Sequence, residues 1–194
     1  GAYAFNRYKA SGKPVEAVLD TADAPDTAAI GREIRAHSLV RDLVNTPAND
    51  LGPAEIADAA QTIAMEHGAD LSVIAGDDLL KQNYPVVHAV GRAATPDHAP
   101  RFIELSWQGP GVGLPTVVLI GKGVVFDTGG LNIKTGSGMG LMKKDMGGAA
   151  HALALGDWIM ATPLPVRLHI LIPVVENAIA GDAMRPGDVL QSRA

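Results

Sequence analysis

The sequence predicts an α/β domain built on a largely parallel or mixed sheet. Short β-branched and aliphatic runs alternate along it with longer segments of helical period. Between residues 117 and 145 a strand-like run collapses into a glycine-rich loop that carries charge, and helical character then resumes. The composition, 47% hydrophobic and 19% charged over 194 residues, suits one packed domain of ordinary size.

The elements follow in order. Residues 2–9 alternate in part and read as a strand. Ser11-Gly12-Lys13-Pro14 reads as a turn, 15–19 as a second short strand and 20–25 as a polar loop. Asp26 or Thr27 can cap a helix running to about Asn45, with Ile30, Ile34, Val40, Leu43 and Val44 near helical spacing. Thr46-Pro47 ends it, because the residue before proline disfavours the α region. Pro53 suits the first turn of a helix over 53–67, and Gly68 suits its stop. Residues 71–75 predict a strand and 77–81 a short helix, while the apolar run 86–90 leaves its type open. Residues 101–107 predict a strand, 108–115 a Gly/Pro loop, and 117–120 and 124–126 two short strands. A helix over 146–160 and a long apolar strand over 166–175 follow, and 176–194 are loop-rich.

Composition also excludes functions. The net charge of −5 leaves no basic excess for a nucleic-acid backbone. With no cysteine, disulfide scaffolds and thiolate metal sites are ruled out, so a metal would use oxygen or nitrogen ligands. No apolar run approaches the length that spans a bilayer, and no secretory leader is read at the start. A cytoplasmic setting is therefore expected.

The stretch 117–145 carries the chemistry. In open α/β sheets ligands bind beyond the carboxyl ends of strands, where Lys122 and Asp127 fall. Asp127 and Asp145 offer hard oxygen donors that suit divalent cations, and the glycines let backbone approach a ligand closely. A solvated strand–turn–helix with surface ion pairs accounts for the same residues: Lys122 then pairs with Asp127, and Asp145 answers a helix dipole. Lys143 and Lys144 are read as solvent-facing. His151 and His169 are read as packed or surface histidines. His37, His67, His88 and His98 lack ligand-like spacing, and Glu176 is read as holding its loop. Gly121-Lys122-Gly123 is no phosphate-binding P-loop, lacking its spacing and following hydroxyl.

Five stretches, in order, resemble the leucyl aminopeptidase family of dinuclear metallopeptidases. They are Asp42-Leu43-Val44-Asn45-Thr46-Pro47-Ala48-Asn49, Gly121-Lys122-Gly123-Val124-Val125-Phe126-Asp127-Thr128-Gly129-Gly130, Ile133-Lys134, Met142-Lys143-Lys144-Asp145-Met146-Gly147-Gly148-Ala149-Ala150 and Arg185-Pro186-Gly187-Asp188-Val189. The resemblance implies a three-layer mixed sheet flanked by helices. It divides the chain into a connector with an interdomain helix (1–45) and the first part of a catalytic domain (46–194). It implies removal of N-terminal residues from peptides by two divalent ions, Mn²⁺ or Zn²⁺. Lys122, Asp127 and Asp145 would be metal ligands, with Asp127 bridging, Lys134 the catalytic lysine, and Met142 part of the pocket for the N-terminal side chain. A homo-hexamer is implied for the full-length protein. Thr128 stands where serine is commoner in the family, which keeps the hydroxyl.

The family also carries an acidic stretch of the form NTDAEGR after the Arg-Pro-Gly-Asp region, and an N-terminal domain; neither is found here. Lys122, Asp127 and Asp145 are then only part of the implied ligand set. The expectation is a fragment of such an enzyme, inactive by itself. The alternative is a non-catalytic aminopeptidase-like assembly or DNA-binding module, the latter disfavoured by charge.

Overall fold

The computed structural model describes residues 3–9 and 26–193. Residues 3–9 take no regular structure, so the strand expected at 2–9 is not formed there; the candidate strand at 15–19 lies outside the described residues. Helix α1 spans Thr27–Asn45 and starts where Asp26 accepts a hydrogen bond from the Ala29 N–H at 2.9 Å. It ends at Thr46, whose extended backbone is the one a following proline favours. Helix α2 (Pro53–His67) opens with proline in its first turn. The Gly52 N–H donates to the Glu55 carboxylate at 2.8 Å, and Gly68, left-handed at φ 63°, closes it.

Strand β1 (Asp70–Ala75) leads into α3 (Asp78–Lys81) and α4 (Pro85–Gly91), so the ambiguous run 86–90 is helical. Strands β2 (Arg101–Gln108), β3 (Thr116–Ile120) and β4 (Gly123–Asp127) follow. A short helix α5 (Gly136–Met139) and a 3-10 turn (Met142–Met146) precede α6 (Gly147–Ala161), and β5 (Arg167–Asn177) is the last strand. The 3-10 turn takes the first residue that helical period had assigned to α6, and β5 runs two residues further than its apolar run.

The sheet is mixed. Its order is β1-β2-β5-β3, and β4 also pairs with β5. β1 and β2 are antiparallel, as are β2 and β5, whereas β3 and β4 run parallel to β5. Since β2 occupies one edge of β5 as far as Val174, β4 shares the other edge with β3. Ile120 pairs with Leu171 and Gly123 with Val174, so β3 and β4 form one line interrupted at Gly121-Lys122. Pro173 lies within that interval of β5; lacking an N–H, it is tolerated where the ladder is already broken.

One sheet face, with Ile103, Leu105, Leu168, Ile170, Ile172 and Val174, is buried under α2 and α6. Burying each such aliphatic side chain stabilises the fold by about 1.5–3 kcal/mol. On the opposite face Tyr84, just before α4, stacks on Phe102, and Gly91 of α4 lies against Val175. The result is a sheet flanked by helices.

Three helices are also joined through charge. Asp157 of α6, 1% exposed, accepts from Arg35 Nε of α1 at 2.8 Å and lies 2.8 Å from His67 Nε2 of α2. Arg35 also pairs with Glu66. Among the described residues no helix is long and apolar enough to cross a membrane.

Candidate metal centre

The break between β3 and β4 positions the first candidate ligand. A Cβ on Gly121 would sit 2.8 Å from the Ala149 Cα and the Gly148 carbonyl oxygen; one on Gly148 would sit 2.9 Å from the Lys122 nitrogen. Only paired glycines let the start of α6 approach the strand break this closely. The Ala149 N–H then donates to the Lys122 carbonyl at 2.9 Å. This backbone contact brings Lys122 to the 3-10 turn that carries Asp145.

Lys122 Nζ lies 2.9 Å from Asp145 Oδ2. That oxygen is buried yet accepts no well-directed hydrogen bond among the described residues. The proximity and the missing bond are compatible: the charges meet, but the ammonium is not aligned on the oxygen's lone pair. Met142 is half-buried three residues before Asp145, and in a 3-10 turn residues three apart stack on one face.

Asp127, the last residue of β4, is held by another set. Its Oδ1 accepts the Gly129 N–H at 3.0 Å and Asn177 Nδ2 at 2.7 Å, while Oδ2 lies 3.1 Å from Lys134 Nζ. Burial raises the pKa of this carboxyl. The Gly129 N–H, Lys134 and Asn177 more than offset that, so it titrates below its ordinary value. Gly129, at φ 90°, allows the tight turn after β4, and the Lys134 N–H closes the loop on the Thr128 carbonyl at 2.9 Å. The Thr128 hydroxyl donates to the Asn177 carbonyl at 2.6 Å and accepts the Gly130 N–H at 3.1 Å.

The four candidate residues thus form two ion pairs, Lys122 with Asp145 and Lys134 with Asp127. The alternative pairing of Lys122 with Asp127 is not the one formed. Lys143, read as solvent-facing, instead donates from Nζ to the Asn45 carbonyl at 2.6 Å and so ties the end of α1 to this turn; Lys144 is exposed as expected. His151 is exposed and His169 lies 3.5 Å from Glu104. Glu176 pairs with His98 at the end of β5, in keeping with a role in holding its loop. Asn177 was not singled out in the sequence; its only signal was its place at the carboxyl end of a parallel strand.

Among the described residues, Glu66, His67 and Asp157 also bring potential donor atoms within 4.8 Å of one another. Arg35 donates to both of those carboxylates, so its positive charge already fills the cluster.

Residues 38–194 match the cytosol aminopeptidase family, catalytic domain. The chain is 36% identical over 204 aligned positions to a probable cytosol aminopeptidase of Roseiflexus castenholzii, covering 99% of this chain and 41% of that protein. It superposes on the crystal structure of a cytosol aminopeptidase from Coxiella burnetii with a TM-score of 0.89 at 47% identity, over 98% of this chain and 40% of the other. The bottromycin maturation enzyme BotP, in complex with Mn, matches with a TM-score of 0.76 at 37% identity, over 86% of this chain and 36% of that one. The chain spans about two fifths of the length of the relatives it matches.

Proposed function

The chain belongs to the cytosol aminopeptidase family, and from that premise we propose that the protein removes N-terminal amino acids from peptides at a two-metal site. Lys122, Asp127 and Asp145 would hold the ions, Asp127 being the ligand they would share, and residues 46–194 would form the first part of the catalytic domain. The observation that carries this reading is the buried Asp145 Oδ2, which accepts no hydrogen bond although Lys122 Nζ is 2.9 Å away. A buried carboxylate oxygen whose counter-charge is a poorly aligned ammonium on a largely exposed side chain is under-satisfied, and a divalent cation would answer it. Mn²⁺ or Zn²⁺ fits a mixed oxygen and nitrogen donor set; the Mn complex of BotP favours manganese.

When bound, such an ion pair supplies Lewis acidity and an acidified water. The chain's own residues do the rest. Lys122 would ligate through its Nζ lone pair, so a metal-bound form would hold it as the neutral amine. Lys134 Nζ lies 3.1 Å from Asp127 Oδ2 on a side chain about one third exposed. With Asp127 engaged by an ion, Lys134 Nζ would be free to face the substrate carbonyl and stabilise the negative charge that develops there. Met142, on the same turn as Asp145, lines the space for the N-terminal side chain. The substrate's free amine anchors it, which restricts cleavage to the first residue. On this reading the full-length protein works in the cytoplasm as a homo-hexamer. The net charge of −5 disfavours a nucleic-acid partner.

The test uses protein purified at its natural length, stripped of metal and reloaded with Mn²⁺. Hydrolysis of an amino-acid amide by the loaded form alone, with the N-acetylated amide left intact, is expected. Equal turnover of the acetylated substrate, or none of either, would overturn the reading.

A further inference from the structure

We infer that Asn177 is a positioning residue for Asp127: it commits one carboxylate oxygen to the protein and leaves the other for the ion. The inference rests on the metal reading of Asp127 above, but its own observations are geometric.

Asp127 Oδ1 accepts two neutral donors, Asn177 Nδ2 at 2.7 Å and the Gly129 N–H at 3.0 Å. A carboxylate oxygen has two lone-pair sites in its plane, so Oδ1 is filled. Among the described residues, Oδ2 faces the Lys134 ammonium alone, on a partly exposed side chain. The carboxylate is thereby sorted into a protein-facing and a cavity-facing oxygen before any ion arrives. A carboxylate only accepts, which requires the Asn177 amide nitrogen, not its oxygen, to point at it.

Asn177 is itself firmly placed. It ends β5, where it pairs with Asp127 across the parallel ladder. Its carbonyl accepts the Thr128 N–H at 3.0 Å and the Thr128 hydroxyl at 2.6 Å. Its neighbour Glu176 is pinned by His98. The residue that orients Asp127 thus comes from β5, the strand paired on both edges, while Asp127 precedes a glycine loop. Donors that orient a ligating carboxylate usually change metal affinity when removed.

The experiment is Mn²⁺ titration of metal-stripped protein at its natural length, following free Mn²⁺ by electron paramagnetic resonance. Because both ions would share Asp127, Asn177→Ala is expected to weaken Mn²⁺ binding by about 10–100-fold at one or both sites. Asn177→Gln, which keeps the amide donor, is expected to recover part of the loss, as a merely structural role would not require. If the alanine variant does not fold at the assay temperature, Asn177→Leu, which keeps the volume without the donor, replaces it. Wild-type affinity at both sites in the alanine or leucine variant, or a loss in Asn177→Gln equal to theirs, overturns the inference alone. Absence of Mn²⁺ uptake by the wild-type protein overturns the metal reading with it.

Discussion

Lys134 stands between two roles, counter-charge to Asp127 and electrophile for a substrate. If the second is its function, Lys134→Met lowers kcat by about 10²–10³-fold, in line with the loss of one oxyanion donor, with KM nearly unchanged. Steady-state kinetics on an amino-acid amide checks this, and a change confined to KM would contradict it. Asp188 gives a pH-dependent counterpart. The Arg185 N–H donates to its Oδ2 at 3.0 Å and, with the Arg185 charge, outweighs burial to hold this carboxyl below its ordinary pKa. A depressed folded-state pKa means the turn is stabilised above the unfolded value and loses that support as pH falls through the folded one. Protection of the Arg185 amide in hydrogen exchange is therefore expected to be constant from neutral pH down to about pH 4 and to decline below it. In Asp188→Asn the protection should be lower at neutral pH and insensitive to acid.

At the scale of elements, the site depends on how closely α6 approaches the gap between β3 and β4. Gly148→Ala would drive a methyl to within 2.9 Å of the Lys122 nitrogen and 3.2 Å of its carbonyl oxygen, backbone atoms that do not yield cheaply. A destabilisation of about 1–3 kcal/mol is expected from urea unfolding, as for other overpacked contacts. Gly147→Ala is the matched control: its Cβ meets nothing within 4 Å, and alanine is the better helix former, so it should be neutral or stabilising by up to about 1 kcal/mol. Equal loss in both variants would mean that helix propensity, not the close approach, decides. Helical period and cap residues were sufficient to find α1, α2 and α6, because their apolar stripes and stop signals are local. They failed at 86–90, where a short apolar run is equally good as strand or helix until Phe102 and Val175 present a face to cover. At 2–9 partial alternation was no guide to a strand.

Across the whole molecule, one ion cluster would join the start of α6, the end of β4 and, through Asn177, the end of β5. Binding to the folded chain alone stabilises it by mass action, about 2.7 kcal/mol at a hundredfold excess over Kd. The melting temperature is expected to climb with the logarithm of Mn²⁺ concentration and to fall back with a chelator. Mg²⁺ at equal ionic strength serves as the screen for a general salt effect. A melting temperature indifferent to Mn²⁺ would remove the ions from the fold's energetics.

The sequence by itself determined the class of fold, the main elements, the family and the identities of Lys122, Asp127, Lys134, Asp145 and Met142 as candidates. All of these lie in short contiguous stretches whose chemistry is visible residue by residue. Which lysine meets which carboxylate was decided only in three dimensions. Lys122 turns to Asp145 because two glycines let a helix start touch a strand break, and that contact spans more than twenty residues of chain. Asp157 in its buried charge cluster and Asn177 beside Asp127 were likewise set by tertiary packing, for the same reason: no local pattern marks a polar residue whose partner arrives from another element.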